Sequence, residues 1–111
     1  MIEALWAIQF RSNLGIFGSG VVVFETERIF GGDAKFYYLG SCKVNPNGLL
    51  EGNVEVIHYS GDNFSIFGHI NNFQLRIKGK VQVPNMVLYG EFEGRPDLQI
   101  ELNLRKIADL P

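Results

Sequence analysis

The residue types from which catalytic, phosphate-binding and metal sites are built occur here in three places: Gly31-Gly32-Asp33, the stretch GIFGSG over residues 15–20, and His58 with His69. A catalytic or metal-binding aspartate needs other carboxylates or imidazoles beside it, and Asp33 is followed only by Ala34 and Lys35 before an apolar run begins. A tight turn needs only the glycines and the aspartate, so Gly31-Gly32-Asp33 reads as the place where the chain reverses. In GIFGSG no Gly-Lys-Ser/Thr follows and no helix opens to aim its amides at a phosphate, which leaves a flexible hairpin loop. His58 and His69 lack zinc-motif spacing. The one cysteine, Cys42, has no partner for a disulfide or a thiolate cluster.

His58 shares strand parity with Leu50, Val54 and Val56, so its imidazole is expected inside, satisfied by a hydrogen bond. The competing reading is a small barrel hydrolase in which His58 works with Glu55 or Glu91. Glu55, three positions away, falls on the opposite face of a strand. No Gly-x-Ser-x-Gly elbow is present. Arg76, Lys78 and Lys80 share one face of one strand and read as a solvated row; contact with nucleic acid through an OB-like barrel is the alternative. Ten basic and twelve acidic residues give a formal charge of -2, which exerts no pull on a phosphate backbone. No catalytic residue, metal or cofactor is assigned, and neither nucleic acid nor membrane is expected as a partner.

The elements that would position these groups announce themselves by alternation, since a half-buried strand repeats every two residues. Phe73, Leu75, Ile77 and Val81 alternate with Gln74, Arg76, Lys78 and Lys80; Leu98, Ile100, Leu102 and Leu104 alternate with Gln99, Glu101, Asn103 and Arg105. Trp6, Ile8 and Phe10 begin a strand near the start. Further strands are expected over 20–26, 36–44, 49–59 and 86–93. Asn45-Pro46-Asn47-Gly48 and the segment 93–97 read as hairpin connections, and Ser60-Gly61-Asp62-Asn63 closes the strand before it. Residues 64–72 (FSIFGHINN) fit a short helical turn or an irregular cover over one barrel end.

Seven or eight short strands without a persuasive helix predict an antiparallel barrel or sandwich. Gly40, Gly52, Gly79 and Gly90, each inside a strand pattern, favour the bends of a closed barrel. With 111 residues, 46% hydrophobic and 20% charged, one domain over residues 1–111 with one core is expected. No apolar run reaches the roughly 18 residues of a membrane span, and the first residues lack a signal-peptide pattern, so the cytoplasm is the expected compartment.

Several strands are apolar on both faces. If Tyr38 faces inward, Tyr37 and Leu39 face outward, and Ile57, Tyr59, Val87 and Tyr89 fall on the outer side by the same parity. Such a patch marks an association surface, here a homodimer, unless a second layer of the same chain covers it. Inside, Trp6, Phe10, Tyr38, Val56, His58 and Leu88 are candidates to line one end of a cavity for a small apolar ligand. Core packing is the alternative use of each, because an eight-stranded barrel is just wide enough for either.

The order LWAIQFRSN, a glycine-containing loop, GVVVF, IFGGD and FYYLG over residues 4–44 resembles the start of the GrlR-like family, negative regulators associated with type III secretion. The resemblance implies a lipocalin-like up-and-down β-barrel, a homodimer, and regulation by binding a protein such as a transcription regulator, with an apolar interior open to a small ligand. That family carries an acidic Glu-Asp-Glu-Asp run in the loop after its Tyr-x-Gly strand. The corresponding loop here, Asn45-Pro46-Asn47-Gly48, has no charge and presents no such surface to a basic partner.

Overall fold

The computed structural model describes residues 2–111, and these form an all-β structure without a helix. Eight strands close into one antiparallel up-and-down barrel: β1 (Ala4–Ser12), β2 (Phe17–Glu25), β3 (Arg28–Gly32), β4 (Phe36–Val44), β5 (Leu49–His58), β8 (Asn72–Lys80), β9 (Asn85–Phe92) and β10 (Arg95–Asp109). Each pairs with its neighbour in sequence, and β10 closes the ring on β1. Between β5 and β8 stands a separate two-stranded hairpin, β6 (Phe64–Ser65) and β7 (Gly68–His69). The expected cover over residues 64–72 is therefore a β-hairpin and not a helical turn. Its anchor is Phe67, whose ring meets Phe73 and Phe92 edge-on at centroid distances of 5.4 and 5.7 Å.

Alternation translates directly into burial. Along β8, Phe73, Leu75 and Ile77 are buried while Gln74, Arg76 and Lys78 are exposed, and Met86, Leu88 and Gly90 do the same along β9. The hairpin at Asn45–Gly48 forms as expected: the Gly48 amide donates to the Asn45 carbonyl at 2.9 Å, and Gly48 takes a φ of 81°. The last hairpin is tighter than expected, a two-residue Glu93-Gly94 turn between Phe92 and Arg95.

Two expectations about the first third of the chain are corrected. Gly31 and Gly32 do not make the turn; they end strand β3 and pair with Tyr38 and Tyr37, while the reversal falls on Asp33, Ala34 and Lys35. Strand β3 escapes a sequence reading because the turn before it is Thr26-Glu27, whose φ values of 52° and 25° are ones that hairpin turns ordinarily fill with glycine or asparagine. Likewise only Gly15, with φ of 81°, belongs to the first loop. Gly18 and Gly20 are strand residues of β2. They are small because other strands approach them: a Cβ on Gly18 would stand 2.3 Å from the Phe10 ring, and one on Gly20 would stand 2.7 Å from the Gly32 carbonyl oxygen and 2.9 Å from the Tyr38 hydroxyl.

Candidate functional site

The barrel interior is solid in one region and hollow in another. The solid part includes Ala4, Trp6, Leu50 and Met86, all but completely buried. The Trp6 indole N–H donates to the Ile2 carbonyl at 2.8 Å, and its ring meets Phe24 edge-on. The hollow part is a cavity of about 300 Å³, room for about ten water-sized groups at roughly 30 Å³ each. Its walls are apolar side chains from all eight barrel strands, among them Ile8, Phe24, Leu75 and Leu104. The β1–β2 loop, the turn at 33–35 and the β6–β7 hairpin stand at its rim through Ile16, Lys35 and Phe64.

Of the six cavity candidates, Phe10, Tyr38, Val56 and Leu88 line it. Trp6 and His58 do not. Trp6 points inward as its parity requires, but into the solid part, held there by Ile2 and Phe24. His58 is the last residue of β5 and half-buried. Its Nε2 meets the Gly61 carbonyl at 2.9 Å and its ring lies edge-on to Phe36. It forms no ion pair among the described residues, and Glu55 pairs across the sheet with Leu39 on the outer face. The imidazole thus stands in neither carboxylate pair that a hydrolase reading suggested.

What the sequence did not reveal is the polar corner of the cavity. Asp33 Oδ1 accepts the Lys35 and Phe36 amides, both at 2.8 Å, which makes the turn. Its Oδ2 accepts the Tyr38 hydroxyl. Tyr38 is 6% exposed, and burial first, then the Asp33 carboxylate, pushes its phenol well above the ordinary tyrosine range, so it stays protonated. The Lys35 ammonium turns to Asp62 at 3.1 Å and to the Phe64 carbonyl at 2.8 Å, tying the turn to the β6–β7 hairpin. A Tyr five residues after a turn aspartate, on an inward strand position, was the available signal.

The outer candidates divide. Val23, Phe30 and Leu39 stand in register across β2, β3 and β4; beside them lie Val21, Tyr37 and Ile57, with Gly32 between. Leu39 is 49% and Tyr59 56% exposed, and Tyr59 meets Tyr37 edge-on at 5.9 Å. No second layer of the described residues covers this face. Val87 and Tyr89 do not join it: they lie on β9, separated from β5 by the polar outer face of β8. Tyr89 sits in a row of alternating sign, Lys43, Glu51, Lys78, Tyr89, Glu101 and Arg11, paired strand to strand. Parity places a side chain inside or outside but says nothing of its position around the ring. The same row shows that Lys78 stands opposite Glu51, and Arg76 opposite Glu91, so the basic row is interleaved with acids.

Burial pushes the Cys42 thiol up, assisted by Glu27. Among the described residues no group of three His, Cys, Asp or Glu side chains is placed to hold a metal ion, and no helix is long and apolar enough to cross a membrane. Compared with protein-family models and with curated proteins, the chain matches none.

Proposed function

We propose that this chain is a non-enzymatic binding protein whose barrel takes a small apolar ligand into its hollow part. The observation that carries this reading is the cavity itself. The space opens at the barrel mouth beside Phe17 and Lys35, and its volume of about 300 Å³ reaches the lower end of the ligand-pocket range. The test is titration with methylnaphthalene, an apolar bicycle of matching size, followed by protein-observed NMR. Saturable binding of one molecule per chain is expected, with shifts at Val56 and Leu88. Val54→Phe, which fills the cavity from β5, should weaken binding about tenfold or more. A folded wild-type chain that shows no saturable shift overturns the reading.

A second reading rests on the apolar outer face of β2 to β5 and on the resemblance to the GrlR-like family: a cytoplasmic regulatory homodimer that engages a protein such as a transcription regulator. A patch built from Val21, Phe30, Tyr37 and Leu39 is of the kind that marks an association surface. Light scattering is expected to give a dimer for the wild type and the mass of one chain for Leu39→Glu, in which a charge would be buried in the interface. A wild-type monomer across the micromolar range removes the homodimer.

A further inference from the structure

From the hydrogen bonding at the cavity's polar corner we infer that the ligand carries a hydrogen-bond-donating head group, a hydroxyl or an amine, on its apolar body, and that carboxylates are disfavoured. This inference rests on the ligand-binding reading above and adds the chemistry of selection.

Tyr38 and Asp33 are both part of the cavity wall. The Tyr38 hydroxyl has one proton, and it is already given to Asp33 Oδ2. What the phenol oxygen retains is acceptor capacity. Asp33 Oδ1 is occupied by two backbone amides, and the carboxylate as a whole has no proton to give. The corner therefore offers lone pairs and a negative charge. Burial keeps the phenol protonated and the arrangement in place. A ligand hydroxyl or ammonium entering there finds an acceptor. A ligand carboxylate meets the Asp33 charge there, and neither Asp33 nor the phenol has a proton to offer it, so its desolvation at this corner goes uncompensated. Lys35, the one cation on the wall, places two of its three donors on Asp62 and on the Phe64 carbonyl, which turns the ammonium toward the β6–β7 hairpin. Ser65 spends its hydroxyl proton on the Gly68 carbonyl at 2.8 Å and its oxygen on the Phe67 amide.

The test is a series on one bicyclic body: methylnaphthalene, naphthol, methoxynaphthalene and naphthoate, titrated by NMR or calorimetry at neutral pH. Naphthol is expected to bind about tenfold more tightly than methoxynaphthalene, which is of similar size but has no donor, and naphthoate more weakly than either. Asp33→Asn keeps an acceptor for the turn amides but brings an amide N–H₂ to the corner; it should erase the penalty on naphthoate. Tyr38→Phe removes the phenol acceptor but frees Asp33 Oδ2, so naphthol should keep its advantage over methoxynaphthalene and naphthoate should stay the weakest binder. If all four bind equally, or naphthoate binds best, the head-group inference falls while ligand binding stands. If none binds the folded chain, the ligand-binding reading itself has failed, and this inference with it.

Discussion

Trp6→Ala is expected to cost the fold about 3–5 kcal/mol, the range for deleting a large aromatic from a close-packed site. Trp6 has 0% exposure, a hydrogen bond to the Ile2 carbonyl and an edge-on contact with Phe24 of β2, so its removal leaves a cavity inside a closed ring of paired strands and that carbonyl without its donor. A single domain holds roughly 5–15 kcal/mol in all, and the variant would therefore be marginal at 25 °C. Urea denaturation followed by circular dichroism measures this without relying on the lost indole. Trp6→Phe should recover part of the loss, since it restores ring packing but not the N–H donor. A loss below about 1 kcal/mol for Trp6→Ala would mean that this part of the interior is not solid.

Adding one methyl group at Gly40 is expected to destabilise the barrel by overpacking instead of by a cavity. A Cβ there would stand 2.1 Å from the Asn53 carbonyl oxygen and 2.9 Å from the Val54 Cα. Both are main-chain atoms of β5, so relief requires shifting a strand held by neighbours on both sides, with a cost of about 1–3 kcal/mol or more. Gly48→Ala is the control. Nothing lies within 4 Å of a Cβ at Gly48, and only its φ of 81° opposes a side chain, a penalty of about 1–2 kcal/mol. Denaturant midpoints should place Gly40→Ala below Gly48→Ala. The reverse order would show that β4 and β5 do not approach as closely as described.

Much of the fold was legible because a strand with one wet face writes its orientation into every second residue. That signal located β8, β9 and β10 and put Phe10, Tyr38, Val56 and Leu88 inside. It failed where local chemistry departs from habit. The Thr26-Glu27 turn carries no glycine, so β3 is not legible, and Gly18 and Gly20 imitate a loop because their reason for being small lies on other strands, in Phe10, the Gly32 carbonyl and Tyr38. In the segment 64–72 a spacing of three produced by a short hairpin resembled a helical turn.

The candidate sites mark the boundary more sharply. Trp6 and Phe10 share parity on one strand, yet the first fills the interior and the second borders a void. Leu39 and Tyr89 both face outward, yet one belongs to an apolar face and the other to a row of alternating charge. By itself the amino-acid order determined most of the strands, where most hairpins close and which side of those strands is oily, because these depend on neighbours a few residues away. The three-dimensional arrangement alone decided which inward side chains surround empty space, which outward ones meet, and that Tyr38 reaches Asp33 at the cavity wall. Those outcomes depend on strand order, tilt and register around a closed ring, which are set by contacts between residues far apart in the chain.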